Sequence, residues 1–377
     1  MPSPYGHHGQ HHPEVLMSPT PLRVGIIGAS ARTGWARVSH VPAIQALDGI
    51  TLEAVATRRA ESAREAAAAF GARTWHTDPL AMIQDPAVDI VTVAVKVPDH
   101  RELVLAALEA GKAVYCEAPL GSSPAETRML AASARSAHSV IGLQGRLNPS
   151  VRRAARIIAE GRIGRPLNAR VVSTSSAFGA ASTSAYEYFE KEESGASLLT
   201  ITAGHTLDLV EALLGEITEV DARTETLWPH PQLLDTGGQA RRDVPDHVDV
   251  LARTTTGAIV TADVVGGVPP EDADFRFELR GTDGWLTLTG GTLYGVQGGD
   301  LGLASSIPFT APDKPSAPAT TASPALNVAE LYACLVRDLQ TGSRSAPDFA
   351  HARHNADLMA AVSQAARSGR RWTSANS

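Results

Sequence analysis

The apolar positions change period along the chain. From Leu22 they come as short β-branched runs separated by alanine-rich stretches with helical spacing. Leu22–Ile27 is an apolar run that ends at Gly28, the pattern of a buried strand entering a tight turn. Val41–Leu47 has helical spacing, Leu52–Ala56 reads as a second strand, and Ala60–Phe70 as a helix stopped by Gly71. Asp78 followed by Pro79 opens another helix through an N-cap and a first-turn proline. Val88–Val95 suits a central parallel strand, and Asp99 with Glu102 reads as a capping pair for a helix ending at Gly111. Strand Ala113–Cys116 follows, then a capping box at Ser123, Pro124 and Glu126. Alternation of this kind predicts a doubly wound parallel sheet.

After Gly145 the pattern shifts toward period two. A helix over Pro149–Glu160 leads to strand Leu167–Thr174, a loop carrying Tyr186 and Tyr188, and an apolar helix over Leu198–Leu214. Strands then dominate: Val220–Leu227, Val248–Thr255, Ala258–Val265, Phe275–Arg280 and Trp285–Thr289, with hairpin turns at Thr256–Gly257 and Thr282–Gly284. Residues 298–325 are rich in Pro, Ser, Thr, Ala and Gly and read as a mobile loop; helices over Val328–Leu339 and Phe349–Arg367 close the chain. The expected fold is α/β, with a parallel-sheet domain over 21–145 and a second α/β domain over 146–377. That second domain is built on a large, mostly antiparallel sheet. Some of its strands carry apolar residues on both faces, such as Val250 beside Leu251 and Val264 beside Val265. A second subunit would cover the outer face, so a homodimer or larger assembly is expected.

Composition narrows the class. The 377 residues suffice for two domains without disulfides, and 43% apolar against 19% charged residues excludes wholesale disorder. No apolar run is long enough for a membrane span. A formal charge of −7 without a clustered positive face argues against nucleic-acid binding. Two cysteines and no signal-type apolar segment fit a reducing, cytoplasmic compartment. Residues 1–20 are polar, with His7, His8, His11 and His12; they read as a disordered leader, metal binding being the alternative. No metal site is expected.

Two turns carry candidate chemistry. Gly28-Ala29-Ser30-Ala31-Arg32-Thr33-Gly34 follows the first strand, where dinucleotide folds use Gly-x-Gly-x-x-Gly to bring backbone and a helix N-terminus to a pyrophosphate. Gly28 keeps the first slot, Ser30 takes the second and Thr33 the third. After the second strand, Thr57-Arg58-Arg59 offers two cations and no carboxylate. Arginines there suit a ribose 2′-phosphate and hence NADP; solvated charges at a helix start are the other reading.

Three longer segments resemble the glucose–fructose oxidoreductase/inositol dehydrogenase/MocA family. They are Val93-Ala94-Val95-Lys96-Val97-Pro98-Asp99-His100, Gly111–Leu120 with its Glu117-Ala118-Pro119, and Gly204-His205-Thr206-Leu207-Asp208. Leu143-Gln144-Gly145-Arg146 and the Trp35-Ala36 pair bring the chain nearer the subgroup of the fungal galactose-pathway repressor, a non-enzymatic member that binds a dinucleotide. The resemblance implies a Rossmann domain holding NAD or NADP and a second domain walling the substrate. It implies cofactor contacts from Gly28, Ser30, Arg32, Thr33, Thr57, Arg58, Val95, Lys96, Pro98, His100, Glu117 and Gln144. Typical members polarise the reacting oxygen with a lysine between Glu and Pro and add an Asp-x-x-x-His pair. Here Ala118 stands for that lysine and Ile201 for that aspartate, and neither can move a proton.

The remaining candidates each have a plain structural alternative. His205 lies in an apolar helix, as catalytic group and substrate contact or as a core histidine. Lys96 follows a strand at its C-terminal end, where such sheets place ligands; it is catalytic, a cofactor contact or a solvated lysine. Arg146 binds substrate or pairs an acid. Tyr186 and Tyr188 stack on a sugar face or belong to the core, and Cys116 reads as a small buried residue. The leading expectation is an NAD(P)-dependent oxidoreductase acting on a sugar- or cyclitol-like alcohol or ketone. Its rival is a non-catalytic regulator that binds dinucleotide and sugar.

Overall fold

The computed structural model describes residues 20–134, 137–291, 294–309, 311–318 and 320–374. The leader therefore falls outside the described residues except for Thr20. The first half alternates as the pattern requires. β1 (Leu22–Ile27) is followed by two short helices, α1 (Trp35–Val38) and α2 (His40–Gln45), then β2 (Ile50–Ala56) and α3 (Ala60–Phe70). Next come β3 (Thr74–His76), α4 (Pro79–Gln84), β4 (Ile90–Val93), α5 (His100–Glu109), β5 (Ala113–Cys116), α6 (Pro124–Ser133) and β6 (Ser139–Ile141). The six strands form a parallel sheet of order β3-β2-β1-β4-β5-β6, the doubly wound dinucleotide order. Strands β3 and β6 escape a reading by apolar runs because each has only three residues.

Three local expectations need correction. Asp99 makes no capping bond to α5; its carboxylate accepts from Arg58 Nη2 at 3.0 Å instead. Ser123 does cap α6, but Glu126 reaches back to the backbone N–H of Ser122 rather than that of Ser123. The helix after β1 is broken at Ser39 into pieces of four and six residues, so the Gly28 turn is not followed by one continuous helix.

The second half begins with α7 (Pro149–Ala159), β7 (Pro166–Thr174) and β8 (Ala181–Ser182), then α8 (Gly204–Leu214), β9 (Ile217–Glu225) and β10 (Gln232–Leu233). β11 (His247–Thr254), β12 (Ile259–Val265), β13 (Phe275–Gly281) and β14 (Trp285–Gly290) follow. β15 (Gly302–Ser305), α9 (Ala325–Thr341), α10 (Phe349–Ser368) and β16 (Trp372–Thr373) complete it. The large sheet runs β15-β14-β13-β7-β12-β11-β9-β16, antiparallel except where β7 pairs β12. The segment expected as loop over 298–325 carries β15, which extends the sheet along β14 from Leu286 to Thr289. Its small and polar composition masks a four-residue edge strand. None of the described helices is long and apolar enough to cross a membrane.

The outer face of this sheet is more polar than the apolar runs suggested. Val250 and Val264 point into the core, while Leu251 is 44% exposed and Val172 38%. Around them lie Arg170, Arg276, Glu278 and Asp249, and His247 stands 3.3 Å from Asp263.

The two sheets do not own separate stretches of chain. Val328, Leu331 and Leu335 of α9 pack with Val24, Ile26, Ile44 and Tyr115 in the core of the parallel sheet. Helix α10 is shared: Phe349 and Ala352 join the other face of that sheet, whereas Leu358, Met359 and Val362 join the core of the large sheet.

A buried arginine closes the second domain. Arg242 Nε donates to Glu190 at 2.5 Å, its Nη1 to Asp246 at 2.8 Å, and its remaining donors to the carbonyls of Phe178 and Gly179. All three charged side chains are sealed from solvent. The arginine thereby ties the 226–246 excursion to the 178–190 segment. Arg242→Met leaves two carboxylates buried without their partner and should cost about 3–5 kcal/mol in urea denaturation. A loss under about 1 kcal/mol would show that the segment is held elsewhere.

Candidate active site

The cleft lies at the C-terminal ends of β1, β4 and β5. Gly28 has φ +98°, and a Cβ there would come within 2.4 Å of the Ala94 carbonyl. Only glycine lets the first turn press against the β4 end this closely. Ser30 Oγ accepts from the Arg32 N–H, and Arg32 itself pairs with Glu65 on α3 at 2.7 Å, well out in solvent with Thr33. Thr57 exchanges a hydrogen bond with Ser62 at 2.7 Å. Arg58 meets Asp99, so the fold brings to the ribose end the carboxylate that the local sequence lacks. Val95 and the buried Val97 flank Lys96 on the turn after β4, Pro98 follows, and Lys96 and Pro98 are exposed. His100 lies inward: its Nε2 is 3.1 Å from the Val95 carbonyl and its Nδ1 3.3 Å from Cys116 Sγ. Burial lowers the His100 pKa, which leaves a neutral core imidazole, and burial raises the Cys116 thiol far above its usual range.

The other wall comes from the second domain. The segment over Ser184–Glu190 reaches across the cleft, where Lys96 Nζ sits 4.6 Å from the Tyr188 ring centre. Tyr186 is exposed and stacks on Phe189 at 5.6 Å, and Tyr188 packs on the same ring. Asp235 accepts from the Ser184 N–H and Oγ, an exposed and weaker tie for the near end of this cover than the buried Arg242 network at the other.

His205 enters from the start of α8. A π-turn over Leu199–Ala203 precedes it, Asn355 donates to the Gly204 carbonyl at 3.0 Å, and Thr206 donates to Thr202. The imidazole is almost sealed and its Nδ1 has no partner. Burial lowers its pKa, while the charges of Glu117 and then Asp208 oppose that shift. Ile201 is part of the π-turn and packs on the apolar core.

Glu117 caps β5 with its carboxylate turned toward α2, where His40 Nε2 stands 2.9 Å from Oε1. Gly142 leaves room for it; a Cβ there would lie 2.9 Å from Oε1. Gln144 is fully buried with neither amide atom bonded, and the Oε1 of nearby Gln297 is likewise unpaired. Arg146 is committed: its Nη1 donates to Asp208 at 2.8 Å, and His351 Nε2 donates to the same oxygen at 2.6 Å.

The sequence reading missed His40, Tyr332 and Gln297. Tyr332 and Gln297 come from segments far from the motifs, brought in by the return of α9 and the turn before β15; His40 lies only four residues past Ala36, but nothing in the local pattern marks it.

Residues 22–144 match the family model for the Gfo/Idh/MocA oxidoreductases with an NAD-binding Rossmann fold, and 149–290 match the Gal80p C-terminal domain. The dehydrogenase aclE of Aspergillus oryzae is 32% identical over 72% of this chain and 78% of its own. The chain belongs to the glucose–fructose oxidoreductase/inositol dehydrogenase/MocA family. Among solved structures, a super-repressor mutant of Gal80p from Saccharomyces cerevisiae superposes with TM-score 0.82 at 22% identity, covering 95% of this chain and 99% of that one. A levoglucosan dehydrogenase in complex with NADH and levoglucosan gives 0.79 at 23% identity, covering 94% and 99%. The fold is thus shared by an enzyme and by a regulator.

The family's NAD-binding domain is intact here in the respects that fix its shape. The strand order, the Gly28 turn pressed on Ala94 and the unpaired polar atoms along the cleft all suit a dinucleotide. Arg146, expected on substrate or an acid, neutralises the buried Asp208. Arg146→Met should therefore cost about 3 kcal/mol in chemical denaturation. Unchanged stability would mean that His351 alone satisfies Asp208.

Proposed function

We propose that this chain transfers a hydride between a nicotinamide dinucleotide and the carbinol carbon of a sugar- or cyclitol-like alcohol, or its ketone. The observation that supports this best is His205. It is buried at the cleft, its pKa is lowered so that it is neutral near pH 7, its Nδ1 is unpaired, and the Glu117 charge acts on it. A neutral imidazole can take the alcohol proton as the carbonyl forms. Gly28, Ser30 and Thr33 would line the pyrophosphate, and Thr57 and Arg58 the adenosine ribose. The dinucleotide supplies the hydride acceptor when bound. Lys96 has no carboxylate within ion-pair reach among the described residues and rests over Tyr188. From there its ammonium can donate to the substrate oxygen or to the ribose. Exposed Tyr186, braced by Phe189, offers a flat apolar face to a sugar ring.

His205→Ala and Lys96→Met should each lower turnover by about 10²–10⁴ while dinucleotide binding persists, read by nicotinamide absorbance and calorimetry. Normal turnover in both variants would overturn the assignment. Ala118→Lys tests the cleft from the other side, since a gain in activity means that only this amine was missing.

The Arg58–Asp99 pair sets the coenzyme. It is largely exposed, so it holds weakly and can yield to a ligand. NADP should bind at least as tightly as NAD. Arg58→Ala should weaken NADP about tenfold and spare NAD, whereas Asp99→Asn should favour NADP. Equal losses for both coenzymes would remove Arg58 from the 2′-phosphate.

A second reading keeps the ligands and drops the chemistry. Ala118 and Ile201 favour it, because the two positions that usually carry the proton-handling pair are inert. A regulator of this kind would bind dinucleotide and sugar tightly and turn over nothing in a panel of sugars, cyclitols and their oxidised forms.

A further inference from the structure

On the outer face of the large sheet, three donor groups that the cleft does not use converge. His247 and Asp249 are alternate residues of β11, and the strand register sets Asp249 directly opposite Asp263 of β12. His247 Nε2 stands 3.3 Å from Asp263 Oδ1 and 3.5 Å from Asp249 Oδ2. One donor atom from each of the three side chains falls within a span of 4.8 Å. All three side chains remain partly open to solvent, so an ion can reach them.

Neither contact is a hydrogen bond. An imidazolium donating to a carboxylate closes to about 2.7–2.9 Å, and Asp263 Oδ1, itself shut off from solvent, has no hydrogen-bond partner. The acidic pair is not neutralised by a basic side chain either. Among the described residues no lysine or arginine comes within ion-pair distance of Asp249 or Asp263. Arg223, opposite Asp249 on β9, turns to Glu225 at 2.9 Å, and Arg276 of β13 turns to Glu278 at 2.6 Å. Like charges directly opposite in an antiparallel pair destabilise a sheet, and threonines would suit both positions without that cost. The spacing fits a metal instead. Around zinc, tetrahedral N and O ligands at about 2.0–2.1 Å lie about 3.3–3.4 Å from one another. His247 stands close to that separation from both carboxylates, and a turn of the exposed Asp249 side chain brings the two acids to it.

We propose that His247, Asp249 and Asp263 form a binding site for a divalent metal of the zinc class, clamping β11 to β12 on the open face of the sheet. The imidazole nitrogen in the donor set selects zinc, cobalt or nickel over magnesium and calcium, which take oxygen ligands. Two carboxylates balance the charge of the dication, so the repulsion across the strand pair becomes an attraction through the ion. Three protein ligands leave the fourth tetrahedral position to water on the solvent side. The donors come together only when β11 and β12 pair in register, so the metal binds the folded sheet and stabilises it. No group of the cleft takes part, and the site stands whether the chain is an enzyme or a regulator.

Zinc ion alone is the probe. The parent for every sample is the full chain with His7→Gln, His8→Gln, His11→Gln and His12→Gln, so that the leader histidines contribute nothing. It is stripped with EDTA, dialysed and titrated by calorimetry. The number of zinc ions bound should fall by one per chain in His247→Ala and in Asp263→Asn. Loss of a direct ligand should weaken the site by more than the about 10–100-fold that an outer-shell partner costs. Magnesium at the same concentration should give no binding heat. Thermal melting supplies a second readout that strand packing alone does not move: zinc should raise the melting temperature of the parent by several degrees and leave both variants where they were. No zinc binding to the parent, the same zinc binding in parent and variants, an equal rise in melting temperature in all three, or magnesium bound as tightly as zinc each overturns the proposal. Melts in EDTA establish that the variants are folded; should Asp263→Asn fail to fold, His247→Ala decides alone.

Discussion

A carboxylate inside an apolar helix has to be neutralised, and the geometry of the cleft follows from how this is done for Asp208. Its side chain is almost wholly buried one turn beyond His205 on α8. Arg146 reaches it from the turn after β6, and His351 from the beginning of α10. One buried charge thus fixes three elements: the helix carrying His205, the turn joining the two domains, and the helix shared between both cores. Glu211 repeats the device one turn later, accepting from His354 and from the Ile217 N–H. The hydrogen bond to Glu211, aided by its charge, raises the His354 pKa, so that second contact strengthens as the imidazole protonates.

With α8 held in this way, the cleft is assembled from both sides. The parallel sheet provides the Gly28 turn, Lys96 and Glu117; the second domain provides His205 and the aromatic cover. The cover is not loose, since Arg242, Asp235 and the close approach of Gly195 to Ser122 pin it at several points. Loss of the lysine and aspartate typical of the family therefore leaves a preorganised cleft rather than a collapsed one.

The alternation of β-branched runs and alanine-rich helices made the parallel sheet legible, and hairpin turns at glycine marked most of the second sheet. Elements of three or four residues, such as β3, β6 and β15, carry too few apolar positions to signal themselves. Site residues divide the same way. Gly28, Lys96, Glu117 and His205 stand in recognisable local motifs. The pairings between charged residues are not visible in those motifs: Asp99 lies 41 residues from Arg58 and Asp208 lies 62 from Arg146. Tyr332 is 292 residues from His40. Local pattern can nominate a charged side chain, but whether it is free or committed depends on contacts that only the folded topology makes.

The return of α9 and α10 to the first sheet has a bearing on how the protein is made. A ribosome delivers β1 to β6 long before residues 325–352, which cover Val24, Ile26 and Tyr115 on one face and meet Val91 and Val93 on the other. Until those helices emerge, the faces of the nascent parallel sheet are covered only in part, by α2 and α3 on one side and α4 to α6 on the other, and the His40 imidazole lacks its tyrosine. The first domain in the message is thus among the last parts to be finished. Vectorial folding from the N-terminus cannot complete it, and incompletely covered apolar faces of this kind are aggregation-prone until the rest of the chain arrives.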